Sequence, residues 1–253
     1  MITIYVSCVR GIEPDVSRFL EGCKKAMLGG DKDKKKIDEK FSIPVSGQLE
    51  QPRILANSVF KHGYEKKIST FNLVGDRIEL EETTERVVGW TRVWLGFNRY
   101  VLFWFRGDSA GKGYPYHRLL AAKCLLPDID DLKQGIIVPI EYNLPCLQEK
   151  FPINIWDQDF VKDGQIKHGR IRGDFMETDP YWKIFSNIES YIGITIPTTG
   201  ASNKVKVLTG GRLQLMGLQE KDLEDKNTNS ETLEKIFEIL DLISPCEEHK
   251  CGD

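Results

Sequence analysis

Gly89-Trp90-Thr91-Arg92-Val93-Trp94-Leu95-Gly96-Phe97-Asn98-Arg99-Tyr100-Val101-Leu102-Phe103-Trp104-Phe105-Arg106-Gly107 is the stretch on which the fold turns, and it holds three of the chain's five tryptophans. Its alternation and its aromatic, β-branched composition predict two strands around a turn near Asn98. In an extended chain Trp90, Arg92 and Trp94 share one face, and Thr91, Val93 and Leu95 share the other. In the second strand Tyr100, Leu102, Trp104 and Arg106 lie opposite Val101, Phe103 and Phe105. The faces of Val93, Leu95, Phe103 and Phe105 read as core. The face of Trp90, Arg92, Trp94, Tyr100, Trp104 and Arg106 reads as a contact surface, because flat rings stack on unpaired bases and guanidinium groups meet phosphate. The competing reading covers both faces and pairs each arginine, since large aromatics mostly pack.

Outward from this ribbon the chain is an ordinary globular sequence of 253 residues, 40% hydrophobic and 29% charged. That length accommodates one large domain or two small ones. A formal net charge of −3 excludes a generic, strongly basic DNA coater, while a local basic face remains compatible with it. The six cysteines are scattered. Met1 to Tyr5 opens directly into a strand pattern with no basic leader, so the expectation is a cytoplasmic protein with reduced, buried thiols. The longest apolar run, Tyr100 to Phe105, is far shorter than a membrane span.

Before the ribbon, Ile2 to Val9 predicts a strand. Val16, Phe19, Leu20, Cys23, Ala26 and Met27 predict a helix that stops at Gly29-Gly30. Asp31 to Lys40 is a mixed-charge run, read as solvated, and Phe41 to Pro52 reads as irregular connection. Lys67 to Leu73 and Arg77 to Glu82 predict a hairpin turning at Gly75-Asp76. Ile78 and Leu80 would lie on its buried face, and Arg77, Glu79 and Glu81 on its wet one.

After the ribbon, Gly107 to Gly113 departs from a phosphate-binding loop. One residue too few separates the first glycine from Gly111-Lys112, and Gly113 stands where a Ser or Thr would hold magnesium. The stretch reads as a loop. Leu119 to Leu126 follows as a short helix or buried strand, and His117 as a half-buried histidine with no evident nucleophile beside it. Glu141 to Phe151 reads as a surface connection and marks the expected seam between a lobe of residues 1–140 and another of residues 141–253. Ile153 to Phe160 predicts a strand on which Asp157 and Asp159 face one way, a geometry that metal-assisted hydrolysis could use. Lys167, His168, Arg170 and Arg172 form a basic strip suited to phosphate. Tyr181 to Ile192 has helical spacing, and Ile194 to Pro197 reads as a strand. Cys246, His249 and Cys251 supply fewer ligands than a structural zinc site wants, so the tail reads as a frayed end.

The last unit is the most regular. Asn203 to Leu208 and Leu213 to Leu218 predict a hairpin around Thr209-Gly210-Gly211-Arg212. A helix capped by Ser230 follows, with Leu233, Ile236, Phe237, Leu240 and Ile243 on one side. This β–β–α run, residues 203–243, resembles the closing part of a TATA-binding-protein repeat. Gly211-Arg212 takes the place of that family's turn Gly-Lys, and Met216-Gly217 the place of its strand-ending pair. The family's paired intercalating phenylalanines have no counterpart here. The glycine turn also resembles, with different glycine spacing, the C-terminal loop of ferredoxin-like RNA-binding proteins of CRISPR systems. Both resemblances imply nucleic acid as partner, and neither implies an active site.

The sequence therefore predicts an α+β fold, mainly antiparallel, with about three helices packed on one side. It predicts a non-enzymatic protein that binds single-stranded or distorted nucleic acid, with no catalytic residues, metal or cofactor. The contact residues would be Trp90, Arg92, Trp94, Tyr100, Trp104 and Arg106, joined by Lys167, His168, Arg170 and Arg172. The first alternative is a protein-interaction subunit of a transcriptional or antiviral complex. The second is a metal-dependent hydrolase built on Asp157 and Asp159, or on His117.

Overall fold

The computed structural model describes residues 1–28, 41–51, 53–96, 100–106, 110–126, 128, 135–151, 154–160, 169–173, 188, 190–198, 201–224 and 230–248. Its organising element is β1 (Ile2–Val9). On one edge β1 pairs with β5 (Tyr100–Arg106). Its other edge is shared end to end by two strands. β11 (Arg212–Leu215) takes Ile2 to Tyr5, and β6 (Ile137–Pro139) takes Ser7 to Val9. At their junction the Val6 N–H donates to the Gly211 carbonyl at 2.6 Å, and the Ile140 N–H donates to the Val6 carbonyl at 3.1 Å. Gly211 has φ +67°, and a Cβ there would sit 2.2 Å from the Val6 oxygen, so only glycine lets both strands meet β1.

From β1 the sheet extends both ways. Beyond β5 lie β4 (Arg77–Gly96), β3 (Ile54–Val74) and β2 (Phe41–Gln51). Beyond β11 lie β10 (Ala201–Leu208), β9 (Tyr191–Thr198), β7 (Ile155–Phe160) and β8 (Gly169–Arg172). Every ladder is antiparallel. One sheet thus runs without a break through both expected lobes, with β1 of the first beside β11 of the second. β5 and β6 flank β1 and are connected through the helix Ala110–Leu125, a split β-α-β arrangement.

The helices lie on both faces of the sheet, not on one. α1 (Val16–Leu28) and α2 (Ala110–Leu125) cover one face. There Phe19, Cys23, Leu120 and Leu125 pack with Val93, Leu95, Val101 and Phe103. α3 (Leu144–Lys150) and α5 (Ser230–Ile243) cover the other. There Leu144, Leu147, Leu233, Phe237 and Leu240 pack with Ile4, Val6, Trp94, Leu102 and Trp104. A short α4 (Lys221–Glu224) precedes α5. The amphipathic spacing of α5 was legible, but which side of a sheet a helix takes depends on chain crossings that no local pattern encodes.

Further expectations are corrected. Phe41 to Gln51 is an edge strand, and its register slips between Ser42 and Val45, around Pro44; edge strands tolerate proline at such irregularities. The stretch read as a glycine-rich loop contributes its residues from Ala110 onward to α2. Residues 144–150 form α3, with Asn143 accepting from the Cys146 N–H as N-cap and proline in the first turn, where its missing N–H costs nothing. Cys146 and Cys246 form a disulfide, Cα atoms 5.6 Å apart, so these two thiols are not reduced. The same bond removes Cys246 as a zinc ligand. His249, Cys251, Asp31 to Lys40 and the expected helical stretch 181–187 lie outside the described residues, while Tyr191 and Ile192, its expected end, are in β9. Among the described residues no helix is long and apolar enough to cross a membrane.

Candidate nucleic-acid interface

The ribbon forms as its alternation predicts. β4 and β5 pair Trp90 with Arg106, Arg92 with Trp104 and Trp94 with Leu102, around residues 97–99. Of its proposed contact residues, however, the four whose side chains are described are interior. Trp94 is 0% exposed, Trp104 2%, Tyr100 5% and Arg92 7%. α3 and α5 close over these residues, so burying their apolar surface wins over display. Arg92 donates from Nη1 to the Leu223 carbonyl at 2.6 Å, and the Tyr100 hydroxyl donates to Glu247 Oε1 at 2.7 Å. The Trp90 and Arg106 side chains lie outside the described residues, as do Lys167 and His168.

Arg170 and Arg172 lie on a different surface, the face of β7–β10 opposite α5. Here Val205, Val207, Ile192 and Ile194 point into the core. The alternate residues Lys204, Lys206, Tyr191 and Gly193 therefore point the other way. A register slip in β7 between Ile155 and Asp157 places Trp156 beside Asp157 on that same face.

Neighbouring strands align Gln214, Lys206, Gly193, Asp157 and Arg172 in one cross-strand row. Asp157 is its anchor, with a side chain 0% exposed. Arg170 grips it from Nε at 2.7 Å and Nη2 at 2.5 Å, Lys206 Nζ reaches it at 2.5 Å, and the Tyr191 hydroxyl donates to it at 3.2 Å. Lys206 reaches across because Gly193 stands between them. A Cβ at Gly193 would lie 2.9 Å from the Asp157 Cβ and 3.1 Å from the Trp156 ring.

The rings line up the cations. Lys204 and Lys206 Nζ lie 5.5 and 5.3 Å from the Trp156 centroid, and the Arg172 guanidinium lies 5.9 Å from it. Lys206 also lies 4.6 Å and Arg170 5.9 Å from the Tyr191 ring. These distances fall within cation–π range. The Trp156 indole N–H is buried with no acceptor among the described residues.

Burial pushes the Asp157 carboxyl up, but hydrogen bonds and charge from Arg170 and Lys206 outweigh it and hold the group below its ordinary value. The hydrogen bond to Asp157 raises Arg170 further above its ordinary value. Burial, then the Asp157 charge, push Tyr191 up to about 12. Asp157 thus keeps its charge between its two cations, and Tyr191 keeps its proton.

The candidate catalytic groups are all engaged in structure. Asp159 accepts from the Ser190 and Tyr191 N–H groups at 3.0 Å and from the Ser190 hydroxyl. His117 is fully buried rather than half-buried. Its Nδ1 bonds Thr91 Oγ1, and its ring stacks with Phe105 and Phe60 at 5.4 and 6.1 Å. Among the described residues no cluster of three His, Cys, Asp or Glu could hold a metal.

Sequence reading missed Trp156, Tyr191, Lys204 and Lys206. The alternation Lys204-Val205-Lys206-Val207 was the available signal for the lysines. Nothing local flags Trp156, whose direction is set by the slip in β7. The described residues thus form an α+β protein with one antiparallel sheet and a basic, ring-lined patch. No protein-family model, curated protein or solved structure matches the chain.

Proposed function

We propose that this protein binds nucleic acid without chemistry, through the β7–β10 face. One observation carries the reading. Four cations, Arg170, Arg172, Lys204 and Lys206, gather around two rings on one sheet face of a chain whose total charge is −3. The carboxylates nearby, Asp157 and Asp159, are buried and already held. Arg172 and Lys204 are exposed, and the Arg170 side chain is 50% exposed. Such a strip suits a phosphate backbone, with Tyr191 available to a base. The C-terminal resemblance to a TATA-binding-protein repeat supports the same partner class, since β10, β11 and α5 make up that unit.

The test is fluorescence anisotropy of a labelled single-stranded oligonucleotide, titrated at several salt concentrations. Affinity should fall with salt, with log–log slope about −0.7 per phosphate contacted. Changing Arg172 and Lys204 together to Glu should abolish binding and leave folding intact. Binding that ignores salt, or survives that double change, refutes the proposal.

A further inference from the structure

Among the described residues, β3 and β4 stay paired well beyond the last pairs that each makes with its other neighbour. β2 leaves β3 at His62, and β5 leaves β4 at Trp90. Pairing continues from Gly63–Val88 to Val74–Arg77, a two-stranded arm about 40 Å long at the usual rise per residue. From 67 to 84 every residue is exposed except the half-buried Ile68. The arm carries five of the eight exposed large apolar side chains on the described surface: Phe71, Leu73, Val74, Ile78 and Leu80. The hairpin and its Gly75-Asp76 turn form as expected, but its apolar side is bare, with Leu73 75% and Phe71 74% exposed.

Phe71 opposes Leu80 and Leu73 opposes Ile78, so these four share one face. Among the described side chains Lys67 and Glu82 are the charges on that face. Arg77, Glu79 and Glu81 lie on the other, where Asn72 and Thr70 bond Glu81 at 2.7 and 3.3 Å.

We infer that the apolar face of this arm packs against the same face of the arm of a second copy of the chain. An isolated two-stranded ribbon with a bare apolar face is marginal in water and wants a cover. The body of a second copy offers none among the described residues, since its other exposed apolar side chains, Met1, Leu119 and Leu242, sit on separate elements. Its arm offers a matching surface. Pressing the faces together brings in Lys67 and Glu82, of opposite sign, and leaves Glu79 and Glu81 in water. Pairing along the β4 edges would instead set glutamates against glutamates. The contact is isologous, with four strands in two facing layers. Four side chains present on the order of 500 Å² per arm, a typical functional patch. Two arms then bury about 1,000 Å², the low end of specific interfaces, so the dimer is reversible.

The experiment is sedimentation equilibrium of the full chain from about 1 to about 200 µM, bracketing the roughly micromolar affinity expected of so small an interface. The expected result is a monomer–dimer equilibrium. Phe71→Glu with Leu80→Glu should weaken it about 100-fold or more, because a charge cannot be buried unpaired. Asn72→Lys, on the opposite face, should leave it unchanged. Leu73→Cys should cross-link between copies under mild oxidation, and Asn72→Cys should not. Because these side chains are solvent-exposed, circular dichroism should be unaltered in every variant. A monomer at all concentrations overturns the inference and leaves the arm to another protein. A dimer that survives replacement of residues 68–82 by a short turn overturns it as well.

Discussion

The β4–β5 ribbon and the β7–β10 face use the same vocabulary, aromatic rings and cations alternating with aliphatic residues, and meet opposite fates. In the ribbon, α3 and α5 lie over the tryptophans, and Trp94 is 0% exposed. On the β7–β10 face the aliphatic side meets α5, and Arg170, Arg172 and Lys204 meet water. Alternation decides which residues share a face. It does not decide whether that face is covered, which depends on where distant helices land.

The largest expected effect breaks this contrast most directly. Trp94→Ala should destabilise the protein by roughly 3–5 kcal/mol, the cost of emptying a large aromatic site in a core. Lys204→Ala should change stability by less than about 0.5 kcal/mol. Denaturant midpoints compare the two. A Trp94→Ala protein of unchanged midpoint would mean that the ribbon face is open after all.

The second effect concerns the cover itself. Cys146 lies in α3, and Cys246 closes the turn after α5, a sequence separation of 100 residues. The bond ties the two elements that seal the ribbon. Cys146→Ser should cost about 2–5 kcal/mol, as expected for removing a native bridge that closes a long loop. Quenching of tryptophan fluorescence by acrylamide should rise in parallel. Unchanged melting and quenching would mean that packing alone holds the cover.

On the cationic face, Asp157→Asn should cost roughly 2–3 kcal/mol, below the full cost of breaking a buried pair because Arg170 keeps its water. The sign of its pH dependence is fixed. Asp157 titrates below its ordinary 3.8 in the folded protein, so its stabilisation is complete above that value and lost as pH falls through the folded pKa. Asp157→Asn should therefore flatten the acid limb of the stability curve. An unchanged acid limb would show that the Arg170–Asp157–Lys206 cluster is loose in solution.

The legible and illegible parts of the chain divide along the same line. β1, α1, the ribbon, the Gly210-Gly211 hairpin and α5 were readable, because strand alternation, helical spacing and glycine turns are local signals. Residues 41–51 and 144–150 were misread because prolines, tolerated at an edge-strand slip and in a first helical turn, look like breakers in isolation. Arg170 and Arg172 were singled out from their basic spacing. Lys204, Lys206, Tyr191 and Trp156 were not, since only cross-strand register and the slip in β7 bring them to Asp157. The pairing of Cys146 with Cys246 joins residues 100 apart and had no local trace.

The smallest effect compares how the two regions treat an acid that folding draws from water. Glu247 meets the sealed ribbon through the Tyr100 hydroxyl. Burial raises its pKa above the ordinary 4.5, and that hydrogen bond only partly offsets the rise. Its sign is opposite to that of Asp157. The folded protein holds the Glu247 proton more tightly, so the favourable contribution is present below 4.5 and lost as pH rises through the folded pKa. Tyr100→Phe should cost about 1 kcal/mol, one hydrogen bond, and move that loss to higher pH. Two carboxylates, one beside cations and one beside the ribbon's Tyr100, should thus bend the stability curve in opposite directions. A Tyr100→Phe protein whose pH profile overlays the parent's would show that Glu247 draws on water rather than on the ribbon.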